Sequence, residues 1–122
     1  VERLRSFSRA SGLGWRMAVE FRHASWLEGV GLEVCREVGA TFVSVDAPIG
    51  TFIGASGDAV YLRLHGRAAW YAHDYSREEL RELARAVLQL SPRRVYAFFN
   101  NDHWMLENAR AMLELLRELA RG

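Results

Sequence analysis

Four short runs rich in Val, Phe, Tyr and Leu, set between stretches of helical periodicity, constrain this chain more than any other feature. They are Trp15 to Phe21, Thr41 to Val45, Val60 to Leu64 and Val95 to Phe99, each bounded by Gly, Asp, Pro or Asn. Helical patterns lie between and after most of them. Ser25 with Glu28 and Ser76 with Glu79 have the Ser-x-x-Glu spacing of a capping box, in which hydroxyl and carboxylate satisfy orphan amides at a helix start. From the first signal, Leu27, Val30, Val34 and Val38 form a stripe that stops at Gly39. From the second, Leu80, Leu83, Ala84, Val87 and Leu88 repeat at helical spacing until Pro92. A last helix over about Met105 to Ala120 places Leu106, Ala109, Met112, Leu113 and Leu116 on one face, and the first residues, with Leu4 and Phe7, read as the end of another helix.

Strands alternating with helices define an α/β fold of parallel strands joined by crossover helices. One connection is odd: Asp46 to Asp58 carries Pro48 and three glycines with no helical pattern, so an irregular or single-turn crossover is expected.

A chain of 122 residues is one domain, and 50% apolar with 25% charged residues excludes disorder and collagen-like order. No uncharged stretch approaches the ~18 residues of a membrane span, so no membrane partner is expected. Val1 to Gly12 holds three arginines and no apolar run, unlike a signal peptide, and the chain reads as cytoplasmic. Cys35 is the single cysteine; lying on a helix stripe, it reads as a small buried apolar residue rather than a nucleophile. Sixteen cations, all arginine, against fifteen acids give +1, so net charge does not announce a nucleic-acid partner.

Side chains alternate across a strand, so parity sorts the polar groups. It gathers Ala18 and Glu20, Ser44 and Asp46, Tyr61, Arg63 and His65, and Tyr96, Phe98 and Asn100 on one face. The other face collects Met17, Val19, Phe21, Val43, Val45, Val60, Leu62, Leu64, Val95, Ala97 and Phe99, suited to packing under helices. Each strand thus ends its polar face on an ionisable or amide group, the arrangement of an α/β site at the carboxyl ends of parallel strands. Polar residues that merely meet water or cap helices at strand ends are the plain alternative.

Within the Glu20-Phe21-Arg22-His23 segment, the carboxylate suits a general base or metal ligand and the guanidinium an anion clamp; an ion pair fixing the loop is equally compatible. Asp46 before Pro48 is a second candidate base, or an Asp bonded to its own turn. Arg63-Leu64-His65-Gly66-Arg67 brings two guanidinium forks and an imidazole to one strand end, with a glycine for close backbone approach. Asn100-Asn101-Asp102-His103 reads either as substrate-orienting amides or as a helix N-cap. Trp70, Tyr71 and Tyr75 either wall a cleft or pack a loop. A divalent ion on Glu20, Asp46, His65 or Asp102 is chemically allowed, although no HExxH or paired-cysteine spacing supports it.

The strings Val19-Glu20-Phe21-Arg22-His23-Ala24-Ser25-Trp26, Val45-Asp46-Ala47-Pro48, Tyr61-Leu62-Arg63-Leu64-His65-Gly66-Arg67 and Phe98-Phe99-Asn100-Asn101-Asp102, with Asn108-Ala109, resemble domain-of-unknown-function family 72, the YecE-like proteins. The resemblance runs in order from about Trp15 to the C-terminus and takes in Tyr71, Tyr75 and Glu79-Leu80. It implies a TIM-barrel-type fold whose shared polar residues, Glu20, Arg22, Asp46, Arg63, His65, Arg67, Asn100 and Asp102, gather at the C-terminal mouth. It implies no reaction.

Eight strands and ~250 residues make such a barrel, so four strands resemble its C-terminal half, strands five to eight. Val1 where an initiator Met would stand hints at a fragment, an unusual start codon or a processed chain. A half barrel leaves edges unpaired and a face unfilled, so the expected partner is a second copy closing an eight-stranded barrel, or a separately encoded N-terminal half. The functional expectation is acid/base or metal-assisted chemistry on an anionic substrate such as a phosphate ester. Glu20 or Asp46 would be the base, His65 an acid or base, Asn100 an orienting group, and Arg22, Arg63 and Arg67, with Tyr71, Asn101 and Asp102, the substrate-binding set. Hydrolysis, isomerisation, lyase chemistry and metal-dependent phosphodiester cleavage all fit. The rival is a non-catalytic module holding an anion or nucleic acid.

Overall fold

The structure, a computed structural model, describes residues 1–122. Helix α1 (Glu2–Ser11) leads through a single helical turn to β1 (Ala18–Val19), α2 (Gly31–Val38), β2 (Thr41–Ala47), β3 (Gly50–Phe52), β4 (Ala59–Leu64), α3 (Arg77–Gln89), β5 (Arg94–Phe99) and α4 (Met105–Arg121). The sheet runs β1-β2-β4-β5 with all three neighbour pairs parallel, as the alternation of elements requires. It is a partial parallel sheet, not a closed barrel. No helix is long and apolar enough to cross a membrane.

The strand expected over Trp15 to Phe21 pairs only through Ala18 and Val19. The odd connection explains this: it holds neither a helical turn nor a simple loop but β3, which folds back antiparallel along Val45, Asp46 and Ala47. Because β3 takes the next stretch of the same β2 edge, β1 leaves the sheet at Glu20.

The two capping signals diverge. Ser76 forms the full box with Glu79 and starts α3. Ser25 makes no cap bond; its hydroxyl meets His23 Nδ1 at 2.8 Å, and the chain passes through a wide turn over Trp26–Val30, where Gly29 sits at φ 136°, before α2 begins. That break rotates Val30 off the expected stripe, and it is 51% exposed, whereas Leu27 and Val34 stay buried. Gly39 closes α2 in the left-handed conformation, as its position predicts. In α4 the buried face is Asn108, Met112 and Leu115; Leu106 and Leu113, placed inward by periodicity, face out.

Core packing is lopsided. Val60, Leu62 and Leu64 of β4 meet Leu80, Leu83, Ala84 and Val87 of α3 and Met112 and Leu115 of α4. A smaller cluster joins Leu27 and Cys35 to Phe42, Val43, Val45 and Ala47. Burial pushes the Cys35 thiol up to about 11, in keeping with an inert core residue. On the other side of the sheet Tyr61 stacks on Phe98 at 5.0 Å, and Tyr96 and Phe98 remain 44% and 47% exposed.

The register corrects one parity assignment. Val43 pairs with Tyr61 and Val45 with Arg63, while Ser44 pairs with Leu62 and Asp46 with Leu64. Ser44 and Asp46 therefore share the helix-covered face with the core leucines, and Val43 and Val45 share the open face. The reason lies in the connection after β2: beside α2, its irregular chain also packs back along β2, and its backbone needs polar partners. Ser44 Oγ donates to Gly54 O and accepts from Gly54 N, both at 3.0 Å, and Ser56 Oγ accepts from Phe42 N.

Candidate active site at the strand ends

Glu20 stands just past the last paired residue of β1, with its side chain 12% exposed. Three cations or donors converge on it. Arg22 Nε lies 2.6 Å from Oε2, Arg63 donates to Oε1 at 2.9 Å, and His65 Nε2 lies 3.0 Å from Oε2. Arg63 also donates to Asn100 Oδ1 at 2.6 Å, which ties the ends of β4 and β5 together. Arg22 extends the other way, donating to the Tyr71 hydroxyl at 3.0 Å while its guanidinium sits 5.8 Å from the Trp70 ring centroid. The Tyr71 bond foremost, and then the Glu20 carboxylate, hold its pKa above the ordinary arginine value against the effect of burial.

His65 has no exposed surface, and the Trp70 and Tyr71 rings wall it at 5.5 Å each. Burial pushes its pKa below the ordinary histidine value, against the opposing pull of Glu20. Because the Glu20 carboxylate can only accept, the proton of a neutral imidazole belongs on Nε2. Nδ1 is buried and has no partner within the protein. Tyr71, Asn100, Asp102 and Met105 line a neighbouring cavity of about 350 Å³.

The remaining predicted residues lie elsewhere. Asp46, fully buried, accepts from Thr51 Oγ1 at 2.5 Å, from Tyr75 at 2.6 Å and from Arg67 Nε at 3.1 Å to each oxygen. Arg67 runs on towards Glu79 at 3.4 Å, whose Oε1 meets His73 Nε2 at 3.1 Å. Bonds from the Ser76 backbone and His73 lower the Glu79 pKa, overcoming the opposing effect of burial. This second network is on the helix side of the sheet, so Asp46 and Arg67 do not meet Glu20. Asn101 is buried and ties the chain to His73 O and Asn108 Oδ1. Asp102 is an exposed rim residue at φ 61°, and neither it nor Asn101 caps a helix.

Tyr75 reads in the sequence as a cleft wall or a loop-packing ring; its hydroxyl instead belongs to the Asp46 network, a role no local spacing signals. The donor set does not favour a metal ion, because no three His, Cys, Asp or Glu side chains converge. Arg22, Arg63 and Arg67 each pair with a carboxylate, so they form no continuous basic track.

A parallel α/β sheet with a polar cluster at its carboxyl strand ends defines the α/β class of protein, here with a partial sheet, and its solved relatives are TIM-barrel-like. Within that class the chain belongs to the family described as protein of unknown function DUF72, which matches residues 1–122. It is similar to a DUF72 family protein from Enterococcus faecalis V583, with a TM-score of 0.78, 25% identity, and coverage of 95% of this chain and 51% of that one. A DUF72 family protein from Thermotoga maritima MSB8 gives 0.66 and 37%, covering 84% and 45%. The chain therefore spans about half the length of these solved relatives. No curated protein matches it.

Proposed function

We propose that the open face carries part of an acid/base site for a small anionic substrate, with a phosphate ester as the class that suits a guanidinium fork beside an imidazole. The observation that carries this reading is the Glu20–His65 pair: Nε2 lies on the carboxylate, which assigns it the proton, and Nδ1 is buried without a partner. In that tautomer Nδ1 is the base. When it takes a proton from the substrate, Glu20 stabilises the imidazolium from the opposite nitrogen. Access requires the Trp70–Tyr71 segment to move off the ring. Arg22, whose side chain is 52% exposed, is the anion reader; Arg63, bonded to both Glu20 and Asn100, is the strut that holds the strand ends. The NH2 end of Asn100 remains to orient the substrate. Hydrolysis, isomerisation and elimination all use such a proton transfer.

A second copy of the chain completes the mouth. The exposed Tyr96 and Phe98 and the doubled length of the solved relatives support this reading. The Tyr61, Tyr96 and Phe98 rings form a continuous aromatic patch, flanked in the adjoining groove by Arg16, Asp58 and Arg94. The surface of 7199 Å² exceeds the roughly 6,700 Å² expected of a compact monomer of this mass. Native mass spectrometry should return twice 13.9 kDa, and Phe98→Arg should return the single chain. A wild-type monomer would point instead to a separately encoded half.

The catalytic reading is tested by screening phosphate monoesters against wild type, His65→Gln and Arg22→Gln. His65→Gln should lower kcat by about 100-fold or more, and Arg22→Gln should raise KM. Phosphate-ester binding with no turnover, unchanged in His65→Gln, would favour the non-catalytic anion-binding module.

A further inference from the structure

We infer that Tyr75 and Asp46 are positioning residues that hold the His65 imidazole against Glu20 from the opposite face of the sheet. The inference rests on the Glu20–His65 reading of the site and deepens it. His65 follows the last residue of β4, where ladder pairing with β5 has ended and the chain must turn. Two backbone bonds of its own and one from the next residue to a side chain pin it there. Its N–H donates to Asp46 O at 2.8 Å, its carbonyl accepts from Tyr71 N at 2.6 Å, and the next amide, Gly66 N, donates to the Tyr75 hydroxyl at 2.9 Å. The Tyr75 hydroxyl then donates to Asp46 Oδ2 at 2.6 Å. One phenol thus links the carboxylate to the peptide immediately following His65.

The turn leaves little freedom for any other arrangement. Gly66 lies at φ 105°, and a Cβ there would fall 2.5 Å from Ala69 O and 2.8 Å from His73 Cβ. Glu20 needs its partner held in this way, because it extends past its own strand and is placed by its bonds to Arg22, Arg63 and His65. The Tyr75 ring packs edge-on against Phe99 at 5.9 Å, a contact that phenylalanine would keep. Tyr75→Phe therefore removes the link alone.

The test reads His65 by side-chain nitrogen NMR and needs no substrate. The groups facing the ring are Glu20, Arg63, Arg22, Trp70 and Tyr71, and none is altered. Wild type should show one neutral tautomer, protonated on Nε2. Tyr75→Phe should keep the far-ultraviolet spectrum while the single tautomer gives way to a mixture and the titration midpoint moves. Thr51→Val, at an exposed position, removes one donor from Asp46 and should give a smaller change of the same kind. Leu83→Ala weakens the core cluster that Tyr75 shares with α3 without touching the link, and should leave the His65 signals in place.

Unchanged His65 signals in both Tyr75→Phe and Thr51→Val, or an equal change in Leu83→Ala, would overturn the inference. If Tyr75→Phe does not fold, Thr51→Val against Leu83→Ala decides. A wild-type proton found on Nδ1 would instead remove the acid/base reading, and the response to Tyr75→Phe would still report on positioning.

Discussion

Glu20 and Asp46 are both carboxylates at the carboxyl end of a parallel strand, both paired to arginine, and both bonded to a ring with a polar atom. Their surroundings make them different objects. Asp46 is sealed under the helix layer, and its oxygens are filled by Thr51, Tyr75 and Arg67. Glu20 faces the open side, among an exposed Arg22 and a histidine whose second nitrogen is unsatisfied. A satisfied buried network fixes structure, whereas one that leaves a lone pair unspent keeps chemistry in reserve. What separates the two is the face of the sheet, not the residue type.

The strongest way to break this comparison is to remove each carboxylate in turn. Asp46→Ala leaves Tyr75, Thr51 and the Arg67 charge without their shared acceptor, and should cost about 3–5 kcal/mol in urea unfolding. Glu20→Gln keeps the shape, leaves Arg22 exposed to water and should cost about 1 kcal/mol. Equal losses would mean that the open-face carboxylate is as structural as the sealed one.

Acid titration sharpens the same contrast. His65 is held below the ordinary histidine value, so the unfolded chain binds its proton first. Stability should therefore fall as pH drops from about 6.5 towards the lower folded value, and His65→Gln should flatten that limb. Glu79, in the helix-side network, is likewise lowered, but from a carboxylate value. Its contribution is present above the unfolded value of 4.5 and is lost as pH falls through the folded one. Two separate limbs in a stability-against-pH curve, only the upper one removed by His65→Gln, is the expected outcome.

The element order, the parallel sheet and the open-face grouping of Glu20, Arg63, His65 and Asn100 were legible, because parity and periodicity are local. The side on which Asp46 sits was not. Its alternation in Val43-Ser44-Val45-Asp46 is the same whichever face is polar, and the deciding fact is that the connection after β2 folds back beside α2 and brings Gly54 to Ser44 and Thr51 to Asp46. The length of β1 was hidden for a related reason: β3 competes for its edge, and competition between segments leaves no mark in either one. Tyr75 escaped because its partner, Asp46, is distant in sequence.

The smallest predicted effect addresses two sequences that read alike and fold differently. Ser76 and Ser25 share the Ser-x-x-Glu spacing, yet only Ser76 accepts from the amide three residues on, at 3.1 Å, with Glu79 returning the bond at 2.9 Å. Ser76→Ala should cost about 1 kcal/mol, the usual worth of a serine cap. Ser25→Ala removes only an exposed contact with His23 and should stay within about 0.5 kcal/mol of wild type. The difference traces to Gly29, whose φ of 136° breaks the helix that a box at Ser25 would have to start. Gly29→Ala should be unfavourable at that angle in the native backbone. If it instead stabilised the protein and made Ser25→Ala costly, the box would have formed once the break was gone, and the wide turn at Trp26–Val30 would be a property of one glycine rather than of the site it leads from.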